Sequence, residues 1–194
     1  NQTVGAPCSD VRAFVSMGGA EFSGGTFASM LNLFEEAAHD REVRKILADP
    51  YGLNPEGERE GPDGPGQWKP RYDEELQMWT APFVMALSNE KIVRRSNAVL
   101  GYPYGNDFQY RECMPTGPGW SGALKAAGVS GAVGLFTGAM ALSPLRTLLQ
   151  KFVLPESGQG PDRETREQGS FEVRFIGTGR DPETNDPFRI SGKI

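Results

Sequence analysis

Two short clusters carry side chains that could do chemistry. Ser23-Gly24-Gly25-Thr26 stands just ahead of Phe27, Met30, Leu31 and Phe34, whose spacing is helical. Backbone N–H groups, two hydroxyls and the positive end of a helix dipole at that point would suit a carboxylate or a phosphate. The pattern is neither G-x-G-x-x-G nor G-x-x-x-x-G-K-[ST], and a capped helix with a flexible entry is the competing reading. Arg94 and Arg95 form the second cluster, because a planar guanidinium can clamp a carboxylate or phosphate through two parallel hydrogen bonds. Adjacent helical residues point about 100° apart, so only one of the pair can face a given pocket. The other is expected to be structural, paired with an acidic group such as Glu90 or Glu112.

The remaining reactive side chains assemble into nothing catalytic. The sole histidine, His39, follows Glu35 and Glu36 on the polar side of the first helix and reads as a solvated or capping residue. Cys113 falls on the strand face opposite Phe108 and Tyr110 and reads as packed rather than reactive. Cys8 and Cys113 cannot supply a structural zinc tetrad, so no metal site is expected, and two cysteines give no disulfide framework. A cytoplasmic, reducing location fits that usage. With 25 acidic against 20 basic residues, the chain has no positive field to hold a phosphate backbone, so nucleic acid is not an expected partner.

Several elements must position these groups. Val11 to Met17, Phe108 to Met114, Phe171 to Gly177 and Phe188 to Ile194 alternate as half-buried strands do. The first runs through a glycine-rich turn into the helix that opens at Phe27, and Asp40 can cap a short second helix carrying Val43, Ile46 and Leu47 before Asp49-Pro50 stops it. Residues 51–71 are rich in Gly, Pro, Glu and Asp and read as a long surface loop with too little apolar area to order itself. Trp79 to Leu87 is apolar and interrupted by Pro82. After it, Ser88 or Asn89 can cap a helix with Ile92, Val93, Ser96, Val99 and Leu100 on one side and Lys91, Arg94 and Arg95 on the other. Ala126 to Leu145 is 20 residues without a charge, about the length of a bilayer span, yet its glycines at 128, 131, 134 and 138 dilute its hydropathy. It is expected to be a close-packed helix at a domain or subunit interface, with membrane or lipid contact as the alternative. Four strands among helices make an α+β domain, and both ends are expected to continue in a longer parent, since the last strand stops at Ile194.

Two blocks carry a resemblance. Glu21-Phe22-Ser23-Gly24-Gly25-Thr26-Phe27-Ala28-Ser29-Met30-Leu31 and Trp79-Thr80-Ala81-Pro82-Phe83-Val84-Met85, with Lys91 to Ala98 following, resemble the saccharopine dehydrogenase-like oxidoreductases, in particular the trans-acting enoyl reductase branch. Gly158-Gln159-Gly160-Pro161 and the strand after it are similar in order and spacing. The resemblance implies a second domain set into an NAD(P)-binding Rossmann parent, with a mixed, largely antiparallel sheet of four or more strands and helices on one face. The Rossmann glycine fingerprint is absent here, so the cofactor would be bound by that missing domain in cis and this chain alone would be inactive. The resemblance also implies a homodimer, a small-molecule or lipid-like substrate, and a place for Ser23 to Thr26 at the cleft facing the nicotinamide. Contact with a membrane through Ala126 to Leu145 would fit relatives linked to lipid metabolism.

Overall fold

The computed structural model describes residues 5–18, 24–152 and 163–194. Along the chain come β1 (Asp10–Gly18), α1 (Gly24–His39), α2 (Arg41–Ala48), β2 (Arg71–Asp73), β3 (Met78–Pro82), α3 (Ala86–Val99), β4 (Gln109–Gly117), α4 (Gly119–Ala141), α5 (Ser143–Phe152), α6 (Arg163–Gln168), β5 (Ser170–Arg180) and β6 (Pro187–Lys193). The strands make one six-stranded sheet in the order β2-β3-β4-β1-β5-β6. Only β1 and β4 run parallel, with Asp10 beside Gln109 and Phe14 beside Cys113, and the other pairings are antiparallel. The expected class, α+β with a mixed and largely antiparallel sheet, is the one observed.

Side-chain alternation gives the sheet two different faces. Val11, Ala13, Val15 and Met17 of β1 join Tyr110, Phe83, Ala86 and Val173 in the core, and α3 and α4 pack on β3 and β4. The opposite face presents Arg12, Phe14 and Ile176. Arg12 donates to Asp73 at 2.5 Å and also pairs with Glu75, which ties the turn after β2 to the sheet, and both Phe14 and Ile176 are buried.

Two strands escaped the sequence reading. β2 has three residues, too few to show a period, and β3 ends in Thr80, Ala81 and Pro82, all buried, so apolar and polar positions do not alternate. Asp40 caps α2 as expected: its side chain accepts the Glu42 N–H at 2.7 Å, and the helix ends at Ala48. Residues 51–70 contain no helix or strand, but Tyr51, Asn54 and Asp63 are buried. Polar contacts rather than apolar area fix this loop, since the Tyr51 hydroxyl accepts the Asp63 N–H at 2.9 Å.

Helix α3 is turned over relative to the usual amphipathic arrangement. Glu90, Lys91, Arg94 and Asn97 are buried, whereas Ile92, Val99 and Leu100 are 54%, 59% and 68% exposed. The uncharged run from Ala126 to Leu145 is two helices, because α4 ends at Ala141 and α5 starts at Ser143, ahead of Pro144. Gly122, Ala126 and Met140 are the buried residues of α4. At Gly122 a Cβ would lie 2.0 Å from the carbonyl oxygen of Gly117, so the helix reaches the sheet this closely only with glycine there. The Thr116 hydroxyl lies 3.0 Å from the Trp79 carbonyl and 2.9 Å from that of Gly122, adding a polar tie at the same point.

Candidate functional site

The buried side of α3 is a hydrogen-bonded ionic network. The Arg94 Nε donates to Asp63 Oδ2 at 2.6 Å, and Nη2 donates to Glu90 Oε2 at 3.0 Å and to the Tyr110 carbonyl at 3.2 Å. Nη1 donates to the Pro50 carbonyl at 3.2 Å, and the guanidinium carbon stands 5.6 Å from the centre of the Tyr51 ring. Glu90 Oε1 accepts the Glu112 N–H at 2.9 Å. Glu112 in turn accepts from Asn89 and from the Tyr110 hydroxyl, each at 2.9 Å. One helix is thereby fixed to β4 and to the 50–63 loop through side chains of which Asp63, Glu90, Arg94 and Glu112 are buried. Burial raises the Glu90 carboxyl above its ordinary range, against the opposing pull of the Glu112 amide and of Arg94. Burial likewise raises the Tyr110 hydroxyl, with the Glu112 charge adding to it.

Beside this network lies a cavity of about 160 Å³. Pro65, Trp68, Phe83, Leu87 and Val133 give it apolar walls, and Glu90 and Lys91 give it polar ones. Gly66 passes over the carboxyl so closely that a Cβ there would meet Glu90 Oε2 at 3.3 Å. The Lys91 ammonium donates to the Asp49 carbonyl, and burial, followed by the Arg94 charge, lowers its pKa. The volume admits a group about the size of benzene and no dinucleotide. A larger hollow of about 710 Å³ between the 6–9 segment and β5–β6 is open to solvent, and its arginines are engaged: Arg180 with the Asn185 carbonyl and Arg189 with Glu75.

The residues singled out from the sequence fall in separate places. Ser23 lies outside the described residues, as do Glu21, Phe22 and Gly158 to Pro161. Gly24, Gly25 and Thr26 form the first turn of α1, and the Phe27 ring meets Phe136 of α4 edge-on at 6.2 Å. Phe136 is one helical turn beyond Val133, so the start of α1 and the cavity border the same stretch of α4 without sharing a wall. Arg94 spends four of its five N–H groups on protein acceptors. Arg95 is exposed and donates to the Leu53 carbonyl. The sequence reading passed over Asp63, Glu90 and Lys91 as site residues. The available signal was the i, i+1, i+4 grouping of Glu90, Lys91 and Arg94, and without Asp63 and Glu112 it looks like a solvated helix face. His39 Nδ1 lies 2.9 Å from the Glu35 carbonyl on the exposed last turn of α1. Burial pushes the Cys113 thiol up to about 12. Among the described residues no three His, Cys, Asp or Glu side chains converge where a metal ion could sit.

The chain resembles several curated proteins. It is 40% identical over 166 residues to one from Mycobacterium tuberculosis named "Putative trans-acting enoyl reductase". It is 35% identical over 159 residues to the trans-acting enoyl reductase of Mycobacterium leprae and 32% identical over 164 residues to that of Mycobacterium ulcerans. These matches cover 81%, 77% and 80% of this chain but 39%, 38% and 39% of the respective relatives. No family model and no solved structure matches. Over about four-fifths of its length, then, this chain is a homologue of one segment, about two-fifths, of proteins named trans-acting enoyl reductase.

Proposed function

We propose that the chain is the substrate-binding and assembly domain of an NAD(P)-dependent, saccharopine dehydrogenase-like oxidoreductase that reduces an enoyl group. The observation that carries this reading is the 40% identity over 166 residues to a protein named for that activity. The cavity beside α3 is too small for a dinucleotide, so the cofactor, which supplies the hydride, is assigned to a Rossmann domain elsewhere in a longer protein. This chain's part is orientation. Phe83, Leu87 and Val133 receive a few carbons of an acyl or other lipid-like substrate, and Lys91 and Glu90 offer it an N–H donor and a carboxyl. Gly24, Gly25 and Thr26 at the start of α1, with Ser23 before them, are assigned to an anionic part of the same substrate. Arg94 is assigned to the framework that holds the cavity wall. The protein is read as a cytoplasmic homodimer.

The test uses the longer protein and this chain side by side, with NADPH or NADH and α,β-unsaturated acyl thioesters. The longer protein should consume the nicotinamide and the chain alone should not. Val84→Trp, at the cavity wall, should raise KM while leaving Tm within a few degrees of wild type. If the longer protein shows neither turnover nor a thermal shift with either nucleotide, the reading fails. A non-catalytic interaction module would then stand, favoured by one observation: the apolar, solvent-facing side of α4.

A further inference from the structure

Helix α4 carries one charged residue, Lys125, and its apolar side chains are spread around the circumference, a composition that belongs in a protein core or in contact with lipid. Yet Trp120 is 84% exposed and Leu135 78%, and Leu124 and Leu142 are exposed as well. At 100° per residue Trp120, Leu124 and Leu135 fall within about 60° of one another around the axis, opposite Gly122, Ala126 and Met140, which face the sheet, and Leu142 follows the helix end. Leu145 and Leu148 of α5 are also exposed. The corner between the two helices is held from inside: Arg146 is buried, and its Nη1 donates to the Met140 carbonyl at 3.2 Å. The charges in this region are of one sign. Between Glu112 and Glu156 there is no Asp or Glu, in a chain with 25 acidic residues, and the charged side chains present are Lys125, Arg146 and Lys151.

We infer that the α4–α5 corner lies in the surface of an anionic lipid membrane. It lies in the plane rather than across it. A spanning helix needs hydrocarbon on every side, whereas one side of α4 is packed on β3 and β4 through Gly122 and Ala126. Burying Leu124, Leu135, Leu142 and Leu145 among the acyl chains supplies the apolar contribution to binding. Trp120 sits at the headgroup level, and Lys125, at the edge of the exposed face, extends toward the anionic headgroups. Residues 113–155 contribute no acidic side chain to repel them. The inference holds whether or not the protein reduces an enoyl group, because Val133, the α4 residue that lines the cavity, is on the opposite side of the helix from this face.

Flotation with vesicles of phosphatidylcholine alone, or mixed with phosphatidylglycerol, tests it. The protein should float with the mixed vesicles and much less with the neutral ones, and high salt should weaken the binding. Leu135→Asp should lower the partition by about tenfold or more. Lys125→Ala should lower it about fivefold on anionic vesicles and leave the neutral ones unchanged. Ile92→Asp, on the exposed face of α3, should bind as wild type. Leu135 and Lys125 are exposed, and an unchanged Tm verifies that the variants fold. If the wild-type protein does not float, or if Leu135→Asp floats equally well, the inference is overturned. It is also overturned if sedimentation shows a dimer that Leu135→Asp dissociates and that ignores vesicles, since a second copy then covers this face.

Discussion

Replacing Arg94 with methionine separates a framework arginine from a substrate clamp. The substitution keeps most of the volume but withdraws four hydrogen bonds, leaving Asp63, Glu90 and two backbone carbonyls buried without their donor. Removing one partner of a buried ion pair costs about 3–5 kcal/mol. For a domain of this size each kcal/mol moves Tm by about 2–4 °C, so the variant should melt about 6–20 °C lower at neutral pH. The loss should depend on pH. Glu90 already titrates above its ordinary range because it is buried, and Arg94 is one of the groups holding it down. Without Arg94 its folded pKa rises further above the unfolded value of about 4.3. A carboxyl raised in this way stabilises the fold fully below the unfolded pKa and loses that contribution as pH climbs through the folded one. The gap between wild type and Arg94→Met should therefore be smallest near pH 4 and grow toward pH 8. Arg94→Lys should recover little, because one ammonium cannot reach acceptors spread around a guanidinium. Calorimetry or circular dichroism melts across that range provide the measurement. A Tm change under about 2 °C at pH 7, or a gap that does not widen with pH, would refute the framework role and return Arg94 to the list of substrate ligands.

Two further outcomes follow from single contacts. Gly122→Ala places a methyl group 2.0 Å from the Gly117 oxygen, so α4 must lift off β4; a Tm drop of at least several degrees is expected, whereas Gly131→Ala, with open space around it, should leave Tm unchanged or raise it. Cys113, partly buried and with its thiol near 12, should react with a thiol reagent at pH 7.5 far more slowly than the same residue in the unfolded chain, and equal rates in the two would contradict the raised pKa.

Part of this fold was legible in the sequence because it depends on neighbours close along the chain. Along β1, β4 and β5 alternate residues such as Val11, Ala13, Val15, Tyr110 and Val173 turn toward the core, and Asp40 caps α2 within two residues of its own position. β3 gave no such signal because Thr80, Ala81 and Pro82 are all buried. The orientation of α3 was illegible for another reason. Its charged side is inside because Asp63, Glu112 and the Pro50 carbonyl meet it there, and these lie between 22 and 44 residues away from their partners on the helix. Local periodicity cannot see that distance, and it assigns Ile92, Val99 and Leu100 to the wrong side. The cavity was hidden for the same reason, being assembled from α2, the 65–68 loop, α3 and α4.

The strand that opens the sheet has a consequence for how the protein comes into being. β1 lies near the middle of the sheet, between β4 and β5, and its first residue, Asp10, pairs with Gln109 and with Thr178. On the ribosome it emerges before the other strands of the sheet and then waits for about a hundred residues before either neighbour exists, and longer still before it is flanked on both edges. Closing loops of that length ahead of any reward from strand pairing makes for slow folding through intermediates that expose Val11, Ala13, Phe14 and Val15. A chain cut short before β5 would leave this apolar strand as an open edge, so truncations from the carboxyl end should aggregate rather than yield a smaller soluble domain.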